Sequence, residues 1–208
     1  MARILWVLVA NLMWAALAGP ASEPLPLPPS EPVRAAANQP ADLIPRGYLP
    51  LVSGRAPSVN RVVNGDFERG AVGWQQSSAY PGDLILDLVA LALSPHGGQW
   101  AAWLGGENNE DSQLWQAVTL GAAPATLTFW YKIDSEDNVC GHDRGRVLIS
   151  SAPVAEFDLC VSTNTGDWVQ HTIGLSAYVG QTIELRFQAK TDADLLSDFF
   201  VDDVAITP

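Results

Sequence analysis

The chain has 208 residues, with 11 Lys and Arg against 23 Asp and Glu, a formal net charge of −12, and 48% hydrophobic residues. So acidic a balance excludes a nucleic-acid binder, whose phosphate contacts need Lys and Arg, and opposes adsorption to anionic membranes. The apolar content is nonetheless enough to bury a full-sized core.

Residues 1–21 read as an export signal. Arg3 is the only charge before Glu23, Ile4 to Ala18 is apolar apart from Asn11, and Ala16-Leu17-Ala18 places small residues where a signal peptidase cuts, with a second possible cut after Ala21. The alternative is a membrane anchor, but this run of 15 residues is shorter than a membrane span. The expectation is a secreted or cell-surface protein whose mature chain has no transmembrane span. Residues 22–58 form a tether. Pro24, Pro26, Pro28, Pro29, Pro32, Pro40, Pro45, Pro50 and Pro57 crowd this stretch, and proline removes backbone donors and fixes φ. Tyr48-Leu49-Pro50-Leu51-Val52 is apolar for a spacer and is a second candidate for contact with the domain or a partner.

Residues 59–208 read as one all-β domain, a sandwich or a barrel. Short alternating runs stand between turn signals: 113–120, 125–133, 145–150, 154–161, 168–173, 182–189 and 199–206. Leu84 to Leu93 reads as either a helix or a bent strand, and Leu175 to Tyr178 as a single helical turn. Alternation puts Leu127, Phe129, Tyr131, Val147, Ile149, Leu185 and Phe187 on an inner face. The same rule turns Trp115, Trp130, Arg146, Arg186 and Gln188 outward. Two indoles, two guanidiniums and an amide on one outer face would make a sugar platform; the alternative is that loops or the tether cover the indoles. Trp74 and Trp168 are read as core.

Two acidic segments bracket this domain. Val62-Val63-Asn64-Gly65-Asp66-Phe67-Glu68, read as its opening strand, precedes Gly73-Trp74, and Asp198-Phe199-Phe200-Val201-Asp202-Asp203-Val204-Ala205-Ile206 closes the chain. Carboxylates inside an apolar pattern are costly unless something pairs with them. A hard cation such as calcium suits oxygen donors of this kind. Strict alternation sets Asp202 on one face with Phe200 and Val204. The alternative for Asp202 is capping by backbone N–H groups or an arginine.

These runs resemble known domains. The Asn64-to-Glu68 segment with Gly73-Trp74 is similar to the opening of jelly-roll carbohydrate-binding modules of bacterial xylanases and cellulases. Leu127-Thr128-Phe129-Trp130-Tyr131 and Asp143-Arg144-Gly145-Arg146-Val147 resemble MAM-type adhesion domains and the related domain of secreted metallopeptidases such as immune inhibitor A. Trp168-Val169-Gln170-His171-Thr172, Leu175, Tyr178, Gly180, Gln181 and Phe200 to Val204 occur in both. All share the galactose-binding-like β-sandwich, so the resemblance implies an all-β jelly-roll β-sandwich of two antiparallel sheets over residues 59–208. The resemblance implies a structural calcium on Glu68 and Asp202, with Asp66 and backbone carbonyls around His96 to Gln99 completing the shell. It also implies that the outer sheet face serves sugar binding.

Cys140 and Cys160 are the only cysteines, and an even count in an exported chain points to a structural disulfide. The alternative, a thiolate metal pair with His142 nearby, lacks a fourth ligand at zinc spacing. No His-Glu-x-x-His, Gly-x-Ser-x-Gly or phosphate loop is present, and His96, His142 and His171 mark no triad. His171 is read as a surface or half-buried strand residue and His142 as solvent-facing. The expected function is a non-catalytic carbohydrate-binding module, whose partner is an extracellular polysaccharide or glycan. The alternatives are a MAM-like adhesion domain with a surface-protein partner and, third, a secreted hydrolase with two carboxylates in a cleft.

Overall fold

Among residues 60–208, which the computed structural model describes, the alternating runs become ten strands. The export signal over 1–21 and the tether over 22–58, including Tyr48 to Val52, lie outside the described residues. The strands are β1 (Gln75–Ser77), β2 (Ile85–Asp87), β3 (Trp100–Gly105), β4 (Asp111–Thr119), β5 (Thr126–Ser135), β6 (Arg144–Ile149), β7 (Ala152–Asp158), β8 (Val169–Gly174), β9 (Thr182–Lys190) and β10 (Ser197–Thr207). Two antiparallel sheets result, ordered β1-β4-β9-β6-β7 and β2-β3-β10-β5-β8. From β3 onward the chain passes back and forth between them, as a jelly roll requires. Only single 3₁₀ turns, Val161–Thr163 and Ser176–Tyr178, interrupt the β structure.

The inner faces interdigitate as alternation predicts. Leu114, Leu127, Phe129, Val147, Ile149, Leu185, Phe187, Phe199 and Val201 are buried in one core. Phe129 of one sheet meets Phe187 of the other edge-on at 5.2 Å between ring centres. Trp74 is buried in the core against Phe67 and Phe187, while its indole N–H donates to the Asn64 carbonyl at 2.9 Å. His171 is half-buried among Phe129, Tyr131 and Phe157, where burial lowers its pKa below the ordinary 6.5.

The opening segment is not the expected strand. From Val62 to Gly73 it runs as successive turns, with Asn64 and Phe67 at φ 53° and 56°, outside extended geometry. It nevertheless seals against β10. The Asn60 carboxamide accepts from the Ile206 and Val62 amides and donates to the Val204 carbonyl. Val204 N–H donates to Gly65 O at 2.8 Å. A Cβ on Gly65 would fall 1.9 Å from the Val204 carbonyl oxygen, so only glycine allows this approach.

β10 departs from strict alternation. Its pairing with β5 shifts register between Asp202 and Ala205, around Asp203 at φ 47°. A bulge of this kind flips every later side chain to the other face. Val201, Val204 and Ile206 therefore enter the main core, while Phe200 packs into a second, smaller cluster with Leu88 and Ala101. Asp202 is buried as expected, but it shares the outer face with Phe200 and Trp130 and not with Val204. The stretch 84–93 is a short strand followed by turns over 88–92, and it lays Leu88 over this outer face.

Cys140 and Cys160 form a disulfide with Cα atoms 5.2 Å apart. It ties the loop entering β6 to the segment leaving β7, at the base of a hairpin whose tip turns through Ser150 and Ser151, both at positive φ.

Candidate functional site

The outer face of the first sheet carries a polar grid fixed by strand register. One row reads Gln75, Trp115, Arg186 and Leu148; the next reads Ser77, Gln113, Gln188, Arg146 and Glu156; a third reads Asp111, Lys190, Arg144 and Asp158. Side chains opposite each other in adjacent strands share a face, so these groups are neighbours. The Arg186 guanidinium lies over the Trp115 ring at 4.6 Å. It also donates to Glu184 Oε1 at 2.7 and 3.1 Å and to the Gln113 side-chain carbonyl. Gln188 and Gln113 both donate to Asp111 Oδ1, at 2.7 and 2.9 Å. Arg144 pairs with Asp158 at 2.9 Å, whereas Arg146 Nε stands 3.6 Å from Glu156, too far for a hydrogen bond.

Of the seven cations among the described residues, Arg61, Arg69, Lys132, Arg144, Arg146, Arg186 and Lys190, four stand on this face. Asp111, Glu156, Asp158 and Glu184 stand among them, so the strip is densely charged and balanced on an otherwise acidic protein. Beside it opens a cavity of about 380 Å³ lined by Arg144, Arg146, Glu156, Lys190, His142 and Asp192. Gln113, Asp111 and Glu184 were missed from sequence, though Gln113 and Glu184 stand two residues from Trp115 and Arg186 on the same strands and Asp111 stands four from Trp115. Extending the alternation by one or two steps finds them.

Trp115, Arg146, Arg186 and Gln188 are thus brought together, and Trp130 is not. It belongs to β5 of the other sheet, so the two indoles share no face. Alternation fixes which way a side chain turns relative to its own strand but not which sheet the strand joins. Trp130 instead stacks flat on His96, centres 3.9 Å apart and planes 17° apart. Its cross-strand partner is Asp202. On that second outer face Trp103, Trp168 and Phe200 surround a recess of about 120 Å³ with Lys132, Asp134 and Asp198. Trp168, expected in the core, packs here on Phe200 and donates to the Ser94 carbonyl.

The acidic ends converge on one loop. Asp202, fully buried, accepts the His96 and Gly97 amides on Oδ2 at 3.0 and 3.1 Å and its neighbour's amide on Oδ1 at 2.7 Å. Glu68 accepts the Gln99 and Trp100 amides, both on Oε1, at 2.8 and 2.9 Å. Burial pushes the Asp202 pKa up to about 7, against the pull of the amides and with the charge of Asp203 adding to the rise. Glycines permit the approach: a Cβ on Gly98 would lie 2.1 Å from Glu68 Oε1, and one on Gly97 2.9 Å from Asp203 Oδ2.

This donor set fits a hard cation in its chemistry. The carboxylates are gathered at one glycine loop, and the Lys and Arg ion pairs among the described residues engage neither Glu68 nor Asp202. It supplies two carboxylates and no more. Asp66 is exposed, and no group of three His, Cys, Asp or Glu side chains comes within metal-holding reach among the described residues. The loop residues expected to offer carbonyls present amides to the carboxylates, and the Gln99 carbonyl accepts from Leu88 N. Capping by backbone N–H groups, the alternative considered for Asp202, is therefore present.

No known protein-family profile matches the chain. It is 27% identical over 130 residues to the pre-pro-metalloprotease PrtV of Vibrio cholerae serotype O1, covering 55% of this chain but only 14% of that protein. Its fold is similar to TmCBM61, solved in complex with β-1,4-galactotriose, with TM-score 0.55 and 18% identity over 72% of this chain and 98% of the other. It is also similar to the K2 and K3 cleaved adhesin domains of Lys-gingipain, the latter from Porphyromonas gingivalis w83. Their TM-scores are 0.51 and 0.50 and their identities 18% and 21%, over 73% and 71% of this chain and 98% and 99% of theirs. The chain thus has a jelly-roll β-sandwich fold. No helix among the described residues is long and apolar enough to cross a membrane.

Proposed function

We propose that this domain is an exported, non-catalytic carbohydrate-binding module whose glycan lies along the outer face of the first sheet. The observation that carries the reading is the Trp115–Arg186 stack flanked by Gln113, Gln188 and Arg146. Sugar rings offer C–H faces to an indole and hydroxyls to guanidinium, amide and carboxylate groups, and this strip supplies each at neighbouring strand positions. The fold shared with a module bound to β-1,4-galactotriose supports β-linked galactans as the first ligands to try. The disulfide supports export, since such bonds persist in oxidising compartments.

Calcium held by Glu68 and Asp202 would neutralise the buried charge and join the opening turns to β10 without touching the glycan. Its remaining ligands would be backbone oxygens and water. The test is retention on a panel of insoluble and immobilised glycans, comparing the parent with Trp115→Ala and repeating with chelator. Retention lost in the variant, with melting nearly unchanged, is the expected result. Equal retention by both would remove this face from the account.

A protein-binding reading draws on the same face, where Arg144, Arg146, Arg186 and Lys190 alternate with four carboxylates and gather most of the cations of the described residues. Failure on every glycan, with cross-linking of Arg146 variants to a surface protein reduced, would favour it.

A further inference from the structure

We infer that a second divalent-cation site, of calcium type, lies between Asp137 and Asp143 at the end of the sandwich where β5 leads into β6. Both side chains are buried, at 5% and 0% exposure, and each keeps one oxygen with no hydrogen-bond partner: Oδ2 in both. Their other oxygens are used. Asp137 Oδ1 accepts the Val139 amide at 2.8 Å, and Asp143 Oδ1 accepts the Asp192 amide at 2.7 Å.

The backbone of Asp137 and the side chain of Asp143 meet at one hydroxyl pair. Ser135 Oγ and Ser197 Oγ are 2.8 Å apart; Ser135 Oγ accepts the Asp137 amide at 3.0 Å, and the Ser197 side chain bonds Asp143. A buried carboxylate oxygen without a donor is among the most costly polar groups a fold can hold. Two of them at one end of the sandwich are groups that a cation stabilises and an apolar core does not. The Lys and Arg ion pairs among the described residues reach neither group.

Side chains alone do not make a complete shell, because no three acidic, His or Cys groups gather here. The ion takes the two Oδ2 atoms and fills its remaining positions with hydroxyl oxygens, backbone carbonyls and water, as calcium readily does. Sodium and magnesium are disfavoured, the first by the paired charge and the second by its demand for tight octahedral geometry. The site is separate from the Glu68–Asp202 clasp in both residues and loops. It has a consequence for the neighbouring cavity, since His142 and Asp192 line that cavity and the Asp192 amide is held by Asp143. Binding there fixes the cavity rim beside Arg146.

The experiment is calorimetric titration of the chelator-treated full chain with calcium chloride, for the parent, Asp137→Asn, Asp143→Asn, and Glu68→Gln. Affinity in the range of extracellular modules, about 0.1–1 mM, is expected. Asp143→Asn and Asp137→Asn should each remove one calcium equivalent, whether or not Glu68→Gln removes another. Since Asn is close to isosteric and carries no charge, Asp143→Asn in chelator should melt at or above the parent temperature while losing part of the rise that calcium gives. Unchanged stoichiometry in both Asn variants overturns the inference. Loss of a calcium in Glu68→Gln reports on the clasp alone, so the two readings fail independently.

Discussion

Gly98→Ala tests the carboxylate clasp through a single methyl group. Gly98 sits at φ +59°, and an added Cβ would stand 2.1, 2.3 and 2.7 Å from Oε1, Cδ and Oε2 of Glu68. The carboxylate has to leave, and its bonds to the Gln99 and Trp100 amides leave with it. The left-handed backbone costs about 1 kcal/mol for alanine. Each lost bond costs about 1 kcal/mol, the low end for a charged acceptor because the site is open to solvent. Stiffening the unfolded chain offsets about 0.5 kcal/mol. The sum is about 2.5 kcal/mol, a fall of about 5–10 °C in Tm for a domain of this size.

Gly70→Ala is the control. It has the same φ of +59° and nothing within 4 Å of its Cβ, so it carries the backbone cost alone. Scanning calorimetry of both variants, of Glu68→Ala and of Gly98→Ala with Glu68→Ala closes a double-mutant cycle. A Gly98→Ala domain that melts with Gly70→Ala, or that loses as much stability with Glu68 absent as with it present, would show that Glu68 does not grip this loop.

Replacing Cys140 and Cys160 by serine should cost about 3 kcal/mol by loss of loop closure and lower the urea midpoint; an unchanged midpoint would show that the hairpin base needs no tie. His171 predicts an acid-side slope. Its folded pKa lies below the unfolded 6.5, so the unfolded chain binds the proton more readily; its contribution is complete above about pH 6.5 and is lost as the pH falls below it. Stability between pH 7 and pH 5 should therefore fall more steeply in the parent than in His171→Gln, and parallel curves would contradict it.

The strands from β4 to β10 were legible because alternation is a local property, written in runs such as Leu127, Phe129 and Tyr131. So was the Cys140–Cys160 bond, because two cysteines allow one pairing. Three features were not. The bulge at Asp203 depends on one residue adopting positive φ, and strict alternation carried past it put Val204 on the wrong face. The opening segment has the composition of a strand, but Asn64 and Phe67 turn the chain, and Asn60 and Gly65 satisfy β10 from outside a ladder. Sheet membership was the third: nothing in a strand's own pattern says which layer it joins, so Trp115 and Trp130 looked like companions. The two orphaned oxygens of Asp137 and Asp143 were beyond reach for a related reason, since their serine pair comes from two strands 62 residues apart.

The division between the two indoles has a direct test in Trp130→Ala. Trp130 lies opposite Asp202 across the strand pair and beneath His96, whose amide and whose neighbour's amide both hold the Asp202 carboxylate. His96 is further held by its Nδ1 contact with Asp203 at 2.5 Å. Removing the indole deletes a stack of about 0.5–1.5 kcal/mol beyond its buried area, and truncating a half-buried tryptophan adds about 2 kcal/mol more. Water then reaches a carboxylate that the lid had kept dry, which loosens the loop 88–99 as a unit. The expected phenotype is a lower Tm and faster amide exchange across that loop, with retention on glycan unchanged in the fraction that remains folded. Trp115→Ala should do the reverse if the proposed glycan face is right, because its ring stacks on Arg186 and roofs nothing. A Trp130 variant that keeps the parent Tm while losing glycan would place the sugar on the second sheet, in the recess beside Trp103 and Trp168, and would leave the charged strip for another partner.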